Sequence, residues 1–127
     1  MPEAFEPPPR TWLNKFQDAF EGVYLGTAGQ SSFIVHGLAF LVVLLLGVTL
    51  QIEAWQWTVV LLVSGLVVSL ELVNSAIESL ARAVTDEYHP CIDQALKIAS
   101  AAVLIAALVS VFVGLIVFVP PLWKLVG

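Results

Sequence analysis

Three long apolar blocks fill most of the chain, and a shorter amphipathic stretch precedes them. In that stretch Trp12, Phe16, Ala19, Phe20 and Val23 recur at helical spacing, while Asn14, Lys15, Gln17, Asp18 and Glu21 fill the other face. The pattern predicts a helix over 11–25 with Thr11 as its N-cap, lying along a bilayer surface. A plain juxtamembrane anchor fits the same pattern. Glycines at 22, 26 and 29 then loosen the chain. From Phe33 to Ile52 the polar side chains are His36, Thr49 and Gln51. About 20 apolar residues match the hydrocarbon thickness, so a first span is predicted over about 31–52. A short connection through Glu53 leads to Trp55 and Trp57, an aromatic pair suited to the membrane interface. A second helix over about 54–82 is apolar to Leu70 and polar beyond it. Thr85 to Asp93 reads as a loop. A third span over about 95–119 ends at Pro120-Pro121, with Trp123 as an outer anchor.

Composition agrees with this layout. The chain is 59% hydrophobic and 12% charged, against about 45–50% and about 25% in soluble domains. The predicted fold class is an all-α membrane protein, with three transmembrane helices preceded by an amphipathic surface helix. Residues 1–10, with Pro7-Pro8-Pro9, read as a disordered tail, and 11–127 as one membrane domain. The acidic start has no basic n-region and no apolar h-region, so no cleavable signal peptide is expected. A net charge of −5 without a Lys/Arg cluster argues against a nucleic-acid partner. The single cysteine, Cys91, excludes an internal disulfide. Arg10, Lys15, Arg82 and Lys97 fall on one side of the predicted spans and Lys124 on the other. The positive-inside rule then puts the N-terminus and the 82–97 region in the cytoplasm, with the C-terminus outside.

Two features of the helices bear on function. Ala95, Ala99, Ala102, Ala106 and Ser110 step by three or four along the third span, a small-residue face that admits close helix approach. The partner helix can lie in the same chain or in another copy. In the second helix Glu71, Asn74 and Glu78 share one face, with Ser75 beside them and Arg82 continuing the line. Glu71 directly follows the apolar run, where a carboxylate is expensive and points to function. Glu78 lies about 10 Å further toward water. Such a pair suits proton abstraction from a lipid hydroxyl at the boundary and cation binding above it. The competing reading pairs both carboxylates with Arg82 or Lys97 as a structural charge cluster. His36 reads as a packed histidine bonded to a neighbour.

The run Glu71-Leu-Val-Asn-Ser-Ala-Ile-Glu78, followed by Glu87-Tyr-His89 and Ser100-Ala-Ala-Val-Leu104, resembles the prokaryotic diacylglycerol kinase family. The resemblance extends without gaps from about Phe16 to Val119. It implies a homotrimeric lipid kinase of the inner (cytoplasmic) membrane. The substrates implied are ATP with Mg²⁺ and a membrane lipid alcohol, diacylglycerol or undecaprenol. It further implies Glu71 as general base and Glu78 as metal ligand, with Gln30 at the second metal position. Asn74, Glu78, Glu87, Tyr88, His89 and Lys97 would contact nucleotide, and Ser100 would face the lipid.

The chain departs from the family pattern at several positions. Gln30 stands where a glutamate is usual and Ile34 where an arginine is common. Arg82 replaces an aspartate, and Leu96-Lys97 replaces a Lys-Asp pair. Gln30 offers a neutral oxygen where an anionic one is preferred. These changes keep a second functional reading in view: a diverged, non-catalytic member that binds lipid or nucleotide as a membrane scaffold.

Overall fold

The computed structural model describes residues 3–127, and Met1 and Pro2 of the tail lie outside them. Residues 3–10 are exposed and carry no helix or strand. Four helices follow: α1 (Trp12–Thr27), α2 (Ser31–Thr49), α3 (Ala54–Val84) and α4 (Pro90–Val126). The last three are each long and apolar enough to cross a bilayer.

Local chemistry sets the ends of these helices. Thr11 caps α1, its Oγ1 accepting from the Asn14 amide at 3.2 Å. Lys15 lies over the Trp12 ring, 4.4 Å from its centroid. Between α1 and α2 only Ala28, Gly29 and Gln30 intervene, and Gly29 takes φ 72°, a conformation that glycine adopts without steric cost. At the opposite end Glu53 and Gln56 form a capping box at the start of α3, and Trp55 Nε1 donates to Glu53 Oε2 at 2.8 Å.

The fourth helix is longer than the span its sequence predicts. It begins at Pro90 rather than near 95, because His89 caps it through Nδ1, which accepts from the Cys91 amide at 3.2 Å. Proline at the first helical position lacks only an N–H that would have no partner there. The helix also passes through Pro120 and Pro121 to Val126. The prolines remove two backbone donors, yet their fixed φ is helical, and spanning helices tolerate proline near their ends.

Packing is uneven. The dominant contact joins α3 to α4, and α1 and α2 each touch α3 more lightly. Ala106 of the small-residue stripe is buried, and Ala99, Ala102 and Ser110 are half-buried, while Ala95 is exposed. The central core sits toward the α2–α3 turn. There Val60, Val117 and Phe118 are buried against Val43, Leu46, Leu50, Ile52 and Val113. Gly47 lies under Trp57, where an added Cβ would come within 2.5 Å of the indole. At the other end Gly26 of α1 lies on Leu72, where an added Cβ would come within 2.5 Å of Leu72 Cδ2. Because the three spans alternate in direction, the α1–α2 link, the polar third of α3 and the start of α4 gather at this one end.

Candidate active site

The polar third of α3 supplies the centre of the site. Glu71 follows Leu70 directly and is 8% exposed, and Ser75, one turn on, is also buried. A carboxylate buried in an apolar bundle needs a partner, since an unpaired charge there is costly. The partner comes from α2: His36 Nε2 lies 2.6 Å from Glu71 Oε1. The other carboxylate oxygen, Glu71 Oε2, is buried and has no hydrogen-bond partner. One oxygen is therefore tied down and the other is buried without a partner.

One turn further, Asn74 Nδ2 donates to Glu78 Oε1 at 3.0 Å. Asn74 Oδ1 is buried without a partner. The face thus presents two buried, unengaged oxygens, Glu71 Oε2 and Asn74 Oδ1, with the half-buried Glu78 carboxylate beyond them. Neither Arg82 nor Lys97 pairs with Glu71. Arg82 Nη2 donates to Ser79 Oγ at 3.1 Å, and Lys97 Nζ bonds Asp93 Oδ2 at 2.7 Å within α4. The structural charge cluster that the sequence allows does not form around Glu71.

Above this face a cleft of about 410 Å³ opens between the end of α3 and the start of α4. Glu78, Glu87, Tyr88, His89 and Asp93 line it together with Arg82. The Thr85–His89 turn that closes it is held by Thr85 Oγ1, which accepts from the Glu87 amide at 3.0 Å. Glu78 is the side chain that joins the buried face to the cleft.

Three residues singled out in the sequence lie elsewhere. Lys97 and Ser100 line a shallow groove on α4 with Leu96, Ala101 and Leu104, apart from Glu71 and Glu78. Gln30 is the N-cap of α2 and lines a groove with Thr27, Ser31 and Phe33. Among the described residues, no three histidine, cysteine or acidic side chains come together as a metal cage. His36 is bonded to a neighbour as its sequence reading expects, but that the neighbour is Glu71 was not read from the sequence. Its one signal was an ionisable side chain in a span otherwise free of charge.

A family profile described as prokaryotic diacylglycerol kinase matches residues 17–118. The chain belongs to the prokaryotic diacylglycerol kinase family. The match takes in the whole of α2 and α3 and nearly all of the membrane part of α4. An undecaprenol kinase of Bacillus subtilis (strain 168) is 32% identical over 117 residues, covering 89% of this chain and 95% of that protein. A diacylglycerol kinase of Synechocystis sp. is 37% identical over 114 residues, covering 89% of this chain and 65% of that protein. The diacylglycerol kinase of Escherichia coli (strain K12) is 35% identical over 95 residues, covering 73% of this chain and 76% of that protein. This prokaryotic diacylglycerol kinase family member is thus a membrane enzyme, a lipid kinase.

Proposed function

We propose that the protein transfers the γ-phosphoryl group of ATP to the primary hydroxyl of a membrane lipid, diacylglycerol or undecaprenol, at the cytoplasmic face. Glu71 is the general base. One observation carries this assignment: a carboxylate buried at the boundary of the apolar span, with one oxygen held by His36 and the other unengaged. As the lipid oxygen forms its bond to the γ-phosphorus, the bond to the β-phosphate oxygen breaks. ADP departs, and the hydroxyl proton passes to Glu71 Oε2. Phosphoryl transfer relies chiefly on positioning and charge neutralisation, so a single placed base with a cation-assisted nucleotide site suffices.

Magnesium fits the residues at the cleft. It prefers oxygen donors and keeps substrate phosphates and water among its ligands, so one carboxylate is enough protein charge. Glu78, with the buried and unpartnered Asn74 Oδ1 beside it, would hold the ion. When bound, it neutralises phosphate charge. Glu87, Tyr88 and His89 border the same cleft and face the nucleotide. Lys97 and Ser100 line the adjoining groove on α4, with Lys97 bonded to the cleft residue Asp93, and in a homotrimer that groove would serve the site of a neighbouring copy. Gln30 takes the second cation position only if it swings toward Glu78 in that assembly.

The test is direct. Purified protein in mixed micelles is given γ-labelled ATP, Mg²⁺ and, separately, dioleoylglycerol and undecaprenol. Label should enter at least one lipid alcohol, and omission of Mg²⁺ should abolish transfer. Transfer to neither lipid would favour a non-catalytic binding role.

A further inference from the structure

We infer that His36 is a positioning residue for the phosphoryl transfer: through its bond to Glu71 Oε1 it turns Glu71 Oε2 toward the lipid hydroxyl. This rests on the assignment of Glu71 as the base. The two side chains come from different helices, 35 residues apart in sequence, and meet at 2.6 Å. An ionised carboxylate only accepts hydrogen bonds. A Glu71 ready to take a proton therefore requires the proton of this bond to sit on His36 Nε2.

The consequence is a division of the carboxylate. Without an anchor, a glutamate side chain on a helix exchanges its two oxygens and samples several rotamers. With Oε1 held from α2, Oε2 has one direction left, and it is the oxygen that is buried and without a partner. The imidazole is suited to this place. It is 29% exposed and lines a groove of about 480 Å³ between the spans, walled by Phe40, Val60 and Val67 among others. Thus it donates from a mostly apolar wall and carries no fixed charge into the span. The pair also ties α2 to α3 where these helices otherwise touch little, so a purely structural role is the alternative to be separated.

The experiment compares the parent, His36→Ala, His36→Gln and Glu71→Gln with dioleoylglycerol, undecaprenol and MgATP in mixed micelles. Thermal stability in detergent is measured in parallel. The amide nitrogen of glutamine can reach the position of Nε2 and donate as it does. His36→Ala is expected to lower kcat about 10- to 100-fold, as loss of an orienting partner does, with the KM for ATP unchanged. His36→Gln should recover most of that loss. Equal activity of His36→Ala and parent, alongside an inactive Glu71→Gln, would overturn the inference and leave the base assignment standing. So would a loss that tracks melting temperature and is the same for Ala and Gln. An active Glu71→Gln would instead remove the base assignment itself, and the inference with it.

Discussion

Glu71 and Glu78 stand two turns apart on one face, and their environments differ in the way the proposed division of tasks requires. Glu71 is buried among apolar residues and held by His36, whereas Glu78 opens into the cleft. Glu71→Gln keeps shape and polarity but cannot take the hydroxyl proton. It should cut turnover at least about 100-fold, while binding of a fluorescent ATP analogue stays near that of the parent. Glu78→Gln should raise the Mg²⁺ concentration for half-maximal activity and weaken analogue binding together. A second substitution tests a position where the family pattern is broken. If Gln30 approaches the cation, Gln30→Glu should lower the Mg²⁺ half-saturation; an unchanged titration would place it away from the metal. The alignment of Glu71, Asn74 and Glu78 was legible in the sequence because helical spacing alone sets it. The His36–Glu71 contact was not, because it depends on how far α2 slides along α3. Periodicity within one helix carries no information on that register.

At the scale of elements, the spans were legible from length and hydropathy, and their ends were less so. Capping chemistry lengthened α4 at its start: His89 and Pro90 read as loop residues, yet together they make a cap followed by a first-turn proline. At its end Pro120-Pro121 read as a stop, but a proline that costs a helix its i→i−4 bond can kink rather than end it, and α4 continues to Val126. The small-residue stripe left its partner open, and the dominance of the α3–α4 contact with Ala106 buried gives the partner as α3 of the same chain. Ala106→Leu should therefore destabilise the folded chain by about 1–3 kcal/mol through overpacking, read as a lower melting temperature in detergent. Gly47→Leu should do the same at the opposite end, since Trp57 occupies the space a side chain needs.

For the whole molecule, three helices are a thin bundle, and large apolar side chains cover its exterior along α2 and α4. Much of that surface meets lipid, and a homotrimer would cover part of it. Chemical cross-linking in native membranes should trap a species of three chains. The distribution of Lys and Arg predicts the topology. A reporter fused after Asp86 should be active on the cytoplasmic side, and one after Glu53 or at the C-terminus on the outer side. The reverse labelling would move the proposed site to the wrong face for ATP.

The packing of Gly26 on Leu72 has a bearing on where the enzyme can work. Leu72 is the residue next to Glu71, and Gly26 belongs to α1, so the proposed base is tied to the helix expected to lie at the headgroup level. The short Ala28–Gln30 link allows that helix little independent travel. When a bilayer thickens or thins, spans tilt or lipids stretch to adjust. With α1 lying in the headgroups, a residue tied to it would keep its depth below them through such changes. The arrangement would then work as a depth gauge: the carboxylate would follow the plane in which lipid hydroxyls lie rather than the midpoint of the membrane. Activity should then vary little across vesicles of short, medium and long acyl chains. Replacing Gly26 with leucine would pry the helix from α3, and the same series should then show a sharp optimum.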